Sequence, residues 1–214
     1  MEDIRIIQKP DNVSYDDIHE LLTLAHKKNY EKGMVLNYSR MSGEEIQKKL
    51  GKEGRTWVAM DGDKLVGTTS VTYFQGKSWW NHGKKVAHGC FTGILKEYQG
   101  IGLMEELNAK KYDYIRNMGV DMTEGDTAET NYTVLKVFGK DGYKMVSYYA
   151  PNPNHFSVRI AKWLNGCPYS DQYIERRYKI AKMLTHWQYK PGKVERARIV
   201  TFFCKILNTI IRYK

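Results

Sequence analysis

Between Thr92 and Met104 an apolar segment runs through a polar turn holding two glycines and into a helical pattern. A strand that feeds a helix through so short a turn does not return as a hairpin. It starts a crossover, so the chain must contain at least one sheet with a helix laid over it. The glycines of Gly100-Ile101-Gly102 let the backbone approach an anion, and the first free N–H groups of the helix point at it. The helix dipole adds about half a positive charge at that end. Taken alone, the same pattern also describes a plain tight turn. The flanking elements decide between the two.

Upstream, Ile4, Ile6 and Ile7 read as a short strand closed by Pro10-Asp11-Asn12. Ser14 ahead of Asp16 and Asp17 starts a helix with Ile18, Leu21, Leu22 and Ala25 on one side, and Gly33 interrupts this region. Ser42 and Glu45 form a capping box for a second helix ended by Gly51. A β-meander follows: Thr56–Met60, a hairpin turn at Asp61-Gly62-Asp63, Leu65–Phe74, a polar loop with Trp79 and Trp80, then Val86–Leu95. Downstream of the glycine turn come a helix to about Met118, a short strand Val120–Met122, a helix Asn131–Phe138, and the strands Lys144–Tyr149 and His155–Leu164. Hairpins plus one crossover predict an α/β fold whose sheet is mixed, partly antiparallel and twisted, with helices flanking it, rather than a doubly wound nucleotide fold.

At 214 residues the chain can bury one sizeable core with an appendage. No stretch approaches the ~20 apolar residues of a membrane span. The start, Met1-Glu2-Asp3-Ile4-Arg5, does not have the pattern of a signal peptide. Cys90, Cys167 and Cys204 are widely spaced and lack a metal-ligand spacing, which fits free thiols in a reducing cytoplasm and gives no reason to expect a metal. Of the net charge of +10, residues 165–214 carry eleven basic against three acidic residues, or +8. The remaining body is nearly neutral. A nucleic-acid enzyme more often spreads basic charge over its working face, so no nucleic-acid partner is expected.

The element order and two motifs together resemble the GCN5-related N-acetyltransferase (GNAT) superfamily over residues 1–164. The first motif is Gln99-Gly100-Ile101-Gly102-Leu103-Met104. It is similar to the family loop Arg/Gln-x-x-Gly-x-Gly/Ala that cradles the pyrophosphate of acetyl-coenzyme A, with Met104 where Gly or Ala is usual. The second runs from Asn131 through Val134, Val137 and Phe138 to Gly142-Tyr143. The resemblance implies the acyl-CoA N-acyltransferase fold, its sheet splayed between the fourth and fifth strands. It implies acetyl-coenzyme A as co-substrate, backbone contacts to its arm from Thr92 and Ile94, and a further contact from Asn131. The position of the family's proton-donating tyrosine is held by Phe138, which has no proton to give.

Acetyl transfer to an amine needs a base and an oxyanion donor as well as positioning. Histidine as a residue type suits the work of a base near neutrality, and the strand parity of His88 groups it with Cys90 and Thr92 on one face. It reads equally as a hydrogen-bonded sheet histidine. Glu124, placed after the fifth strand, is either the base or a solvated loop carboxylate, and Asp126 is a weaker candidate of the same kind. Trp79, Trp80 and His82 either stack on an acceptor or pack a long loop onto the sheet. Tyr30–Met41 would shape the acceptor pocket.

Residues 165–214 form a basic helical extension. Pro168 and Ser170 open a helical run, and after Pro191-Gly192 the residues Ile199, Phe202, Phe203, Ile206, Leu207 and Ile210 share one helical face. That face would either lie peripherally on the inner surface of a membrane or pack on the domain or a second copy of the chain. The resulting expectation is a cytoplasmic N-acetyltransferase acting on a small-molecule or sugar-like amine. The alternative is a non-catalytic acyl-CoA binder or sensor with a docking tail.

Overall fold

Reciprocal capping starts the first long helices. The Ser14 hydroxyl accepts from the backbone of Asp17 while the Asp17 carboxylate accepts from the backbone of Ser14, opening α1 (Tyr15–Ala25). Ser42 and Glu45 repeat the device at α3 (Gly43–Leu50), after the short α2 (Lys27–Glu31) and a 3-10 turn at Asn37–Arg40. Ile18, Leu21, Leu22, Ile46 and Leu50 are the buried stripes of α1 and α3. The computed structural model describes residues 4–31, 37–152 and 155–188. Gly33, residues 153–154, where a turn is expected, and residues 189–214, with the helical face expected over 199–210, lie outside the described residues.

The strands are β1 (Ile4–Gln8), β2 (Arg55–Asp61), β3 (Lys64–Gln75), β4 (Lys85–Ile94), β5 (Met122–Ala128), β6 (Lys144–Asn152) and β7 (His155–Trp163). They form one sheet in the order β1-β2-β3-β4-β5-β7-β6, in which only β4 and β5 run parallel. The crossover that a parallel pair requires is α4 (Leu103–Asn117). β4 and β5 pair at three positions, Val86 with Met122, Ala87 with Thr123 and His88 with Glu124. Beyond these rungs no register joins them, although β4 continues to Ile94 and β5 to Ala128. The sheet therefore opens at His88 and Glu124, as the sequence led one to expect.

Helices cover both faces. Leu22, Ala25 and His26 approach Gly93 from the α1 side, and Thr72 donates to the Leu50 carbonyl of α3. On the opposite face Leu107 and Lys111 of α4 approach Gly67 and Thr69. α5 (Tyr132–Lys140) follows β5, and α6 (Asp171–Gln188) runs along the edge strand β6. Ile174 is buried with Val146 and Trp163, and Thr185 donates to the Tyr148 carbonyl. α6 thus covers an edge that would otherwise offer unpaired backbone groups.

Two local expectations are corrected. The fifth strand does not end at Met122. It begins there and runs through Thr123-Glu124-Gly125-Asp126-Thr127, so Glu124 is a strand residue rather than a loop carboxylate. Val120 is buried in the main core instead. The second correction concerns parity on β4. The register shifts between Thr68 and Ser70, and Phe91 sits at φ 47. This bulge keeps His88 and Cys90 on one face but turns Thr92 to the other, where its hydroxyl lies 2.9 Å from that of Thr69.

α4 is seated by Leu107, which is fully buried against Gly67 beneath β3 and β4. Leu107→Ala is expected to lower unfolding stability by about 2–5 kcal/mol, read from urea denaturation.

Candidate active site

The site is built on both faces of the sheet where β4 and β5 part. On the α1 face the rungs bring His88 beside Glu124 and Asp126 beside Arg159 of β7. His88 Nδ1 lies 3.4 Å from Glu124 Oε1, within ion-pair reach but off hydrogen-bond alignment, and Nε2 lies 3.6 Å from Asp126 Oδ2. Arg159 donates from one terminal nitrogen to Glu124 and from Nε to Asp126. Glu124 Oε2 also accepts from Trp80 Nε1 and from Asn81 Nδ2, both at 3.1 Å. Glu124 is 2% exposed, whereas His88 keeps 17% of its side chain open.

Burial would raise the Glu124 carboxyl, but the His88 contact, the Arg159 charge and the Trp80 donor outweigh it and hold the group down at about 2. Such a carboxylate stays ionised and takes a proton poorly. Its chemical use is to fix the imidazole and the guanidinium beside it. The two carboxylates and one guanidinium leave a net negative charge around His88, which suits an ammonium-bearing acceptor.

The loop before β4 is packed rather than open. Trp79 meets Trp80, Tyr169 and Tyr173 edge-on, Tyr169 donates to the Trp79 carbonyl and Trp163 donates to the Trp80 carbonyl. Packing and function coincide here, since the same loop carries Trp80 and Asn81 to Glu124. Sequence reasoning missed Asn81, Arg159 and Lys111. Arg159 carried a readable signal, a charge at the same strand parity as Ala161 and Trp163.

Beyond the bulge the backbone of β4 is held from the α1 side. His26 Nε2 donates to the Thr92 carbonyl at 2.9 Å while Asn29 donates to His26 Nδ1. These partners require the neutral ring with its proton on Nε2, and burial favours the same neutral form. Ile94 is buried in the main core. Gln99 Nε2 donates to the Ile94 carbonyl, tying the glycine turn to the end of β4. Gly100 and Gly102 sit at φ 83 and φ 85, in the left-handed region that favours glycine, with open space where a Cβ would stand. Gly102 starts α4 without a side-chain cap, and Glu105 and Glu106 occupy the first turn. Ile101 is exposed, Leu103 is buried, and Met104 packs partly against the main core.

Asn131 caps α5, accepting from the backbone of Val134 at 3.4 Å. Phe138 packs edge-on against Tyr143, 4.8 Å between centroids. Tyr143 in turn bonds Tyr112 and Thr123 through its hydroxyl. The structure thus groups Thr92, Ile94 and Gln99–Met104 along β4 and its exit, and groups His88 with Glu124. Asn131 and Phe138 stand on the far side of the opening, on α5 and its cap. A cavity of about 540 Å³ along α6, lined by Gln172, Glu175, Arg176, Lys179, Ile180 and Met183, takes in none of these groups.

The sequence matches the acetyltransferase (GNAT) family over residues 15–143. No curated protein matches it. Among solved structures, an acetyltransferase from Streptococcus agalactiae 2603 is similar at 16% identity and a TM-score of 0.58, over 77% of this chain and 100% of its own. A Bacillus subtilis acetyltransferase in complex with CoA aligns over 76% of this chain and 99% of its own, at 15% identity and a TM-score of 0.52. Arabidopsis thaliana NAA60 in complex with a bisubstrate analogue aligns over the same shares, at 14% identity and a TM-score of 0.56.

The depressed carboxyl of Glu124 makes a measurable contribution with a definite sign. Its folded-state affinity for protons is below the ordinary 4.5, so its stabilisation is present above about pH 4.5 and is lost as pH falls toward about 2. Glu124→Gln should flatten the fall of stability across that window by up to about one proton per molecule, measured by urea unfolding at a series of pH values.

Proposed function

Because this chain belongs to the GNAT acetyltransferase family, whose members are acyltransferases, we propose that it moves an acetyl group from acetyl-coenzyme A to the amine of a small-molecule or sugar-like acceptor. The observation that carries the reading is the partly open His88 held between the Glu124 and Asp126 carboxyl groups at the point where β4 and β5 part. The residues present fit the co-substrate. Gly100 and Gly102 leave open backbone at the uncapped start of α4, and Gly89 and Gly125 leave the closed end of the opening without side chains. When bound, acetyl-coenzyme A supplies the acyl group as a thioester.

His88 is the base. Trp80, Asn81 and Arg159 fix the Glu124 carboxylate within ion-pair reach of the imidazole, where it stabilises the imidazolium that forms without competing for its proton. The negative balance of the cluster draws the acceptor as its ammonium, and His88 takes the proton that makes the nitrogen nucleophilic. The bulge at Phe91 breaks the β3–β4 ladder beside the opening, and the His26 bond at the Thr92 carbonyl fixes the backbone there. A backbone N–H released from the ladder is the donor for the developing oxyanion.

Isothermal titration with acetyl-coenzyme A should give saturable binding, and thiol release should appear with a panel of primary amines. His88→Gln should lower the rate by about 10²–10⁴-fold while leaving the dissociation constant for acetyl-coenzyme A within a few-fold. Absence of binding at high micromolar concentration would sink the proposal. Phe138, which cannot act as an acid, favours the rival reading of a non-catalytic acyl-CoA binder. Binding without thioester cleavage over the whole panel would establish that rival.

A further inference from the structure

Lys111 of α4 is the one described lysine that the fold buries, at 5% exposure. Its Nζ donates to Asn108 Oδ1 at 2.7 Å and to Thr69 Oγ1 at 3.2 Å, both neutral acceptors. No described carboxylate lies within ion-pair distance of it. The groups beside it on this face are the Tyr112 ring of its own helix at 5.4 Å and the hydroxyls of Thr69 and Thr92, which lie 2.9 Å apart, and the Cys90 thiol of β4 is the titratable group whose charge reaches it. Glu124 directs its carboxylate to the opposite face of the sheet, toward Trp80 and Asn81. Desolvation brings the ammonium down to about 8, and burial pushes the neighbouring Cys90 thiol up to about 12, so Cys90 is not its counter-ion.

The position of this unmatched cation is specific. A Cβ at Gly89 would stand 3.5 Å from Lys111 Nζ and 3.8 Å from the Glu124 carbonyl, and a Cβ at Gly125 would stand 3.8 Å from the Gly89 carbonyl. Gly89 and Gly125 are the residues that follow the last β4–β5 rung. Lys111 therefore points at the closed end of the opening through a gap left by missing side chains. His88 and the carboxylates stand at the same level on the other face. Beside Lys111, Tyr112 is bonded to Tyr143, on which Phe138 packs. An uncompensated buried ammonium is retained against a large desolvation cost, and an anion arriving at this spot would supply what the fold withholds.

We propose that Lys111 receives the leaving thiolate of coenzyme A and neutralises its charge as an ion pair, in place of the proton donor that Phe138 removes. This rests on the reading that the thioester occupies the β4–β5 opening. As the acceptor nitrogen forms its bond to the acyl carbon, the C–S bond breaks and its electron pair goes to sulfur. Sulfur leaves as a thiolate paired with the Lys111 ammonium, while His88, having passed the first proton of the acceptor ammonium to solvent before the attack, takes the second as the amide forms. Solvent accepts both protons from His88 and supplies one to the sulfur as coenzyme A leaves, so one turnover releases one net proton and leaves the protein's protonation unchanged.

The test follows bound coenzyme A rather than turnover alone. The thiol of coenzyme A saturating the full chain is titrated by the ultraviolet absorbance of its thiolate, in the wild type and in Lys111→Met. The wild type should hold the thiol at least one unit below its value in free coenzyme A, and Lys111→Met should abolish that depression. At a pH where the bound thiol is ionised, Lys111→Met should weaken coenzyme A about tenfold and leave desulfo-coenzyme A unchanged. Methionine replaces a buried charge by an apolar chain of similar length, so the variant should melt no lower than the wild type. Lys111→Gln, which keeps a polar group there, guards against a packing artefact. The proposal is overturned if coenzyme A binds both proteins and its thiol titrates alike in them. If the wild type binds no coenzyme A, the functional reading fails instead.

Discussion

Parallel strands cannot be joined by a tight turn, and that constraint organises the chemistry of this chain. β4 and β5 are the one parallel pair in a sheet otherwise built from antiparallel neighbours, and α4 carries the chain between them. The glycine turn is the price of starting that crossover at the end of β4. Gly100 and Gly102 take left-handed conformations, and Leu103 and Leu107 anchor the helix to the core within its first turns. The strands then part after three rungs because β5 turns to β7, with which it pairs at seven positions. An opening through the sheet follows, with an uncapped helix start at its mouth and two glycines at its closed end.

The opening separates two charge environments by the thickness of one strand layer. On the α1 face Arg159 ties Glu124 and Asp126 together, and the buried carboxylate is satisfied by four donors or near-donors from β4, β7 and the Trp80–Asn81 loop. Burial of that carboxylate is tolerated because its partners are fixed before any ligand arrives. On the α4 face Lys111 has neutral partners only. A complete cluster lies on one side and an incomplete charge on the other. That asymmetry matches a reaction that draws a cation to one face and releases an anion on the other.

The sequence made the scaffold readable where local chemistry was strong. The capping boxes at Ser14 and Ser42, the Asp61-Gly62-Asp63 hairpin and the Gln99–Met104 turn each state their structure within a few residues, and the mixed sheet follows from their order, whereas its splay came only from the family resemblance. β5 was not readable, because Thr123-Glu124-Gly125-Asp126-Thr127 has no apolar alternation. One face of that strand carries the charge cluster and the other looks onto the opening, so it cannot announce itself by hydrophobic periodicity. Parity on β4 failed for a different reason. The bulge is taken by Phe91 rather than by a glycine, so nothing in the sequence marked the place where Thr92 changes face. Lys111 was hidden by its residue type, since a lysine on an amphipathic helix is ordinarily at the surface.

Phe138 is best understood together with its surroundings. A phenol at that position would have to share the space with Tyr143, whose hydroxyl is already committed to Tyr112 and Thr123. Phe138 instead packs its edge on Tyr143 and joins the cluster of Tyr148, Val158 and Ile160. The apolar residue therefore stabilises the β6–β7 side of the opening without offering a proton itself. The charge of a departing sulfur is then left to other groups of the wall or to water. Water entering the closed end would also meet the thioester, so a cation built into the wall stabilises the departing sulfur without exposing the acyl group. Lys111, the one buried ammonium among the described residues, stands in that wall beneath Gly89, where a side chain on the strand would have shut it off.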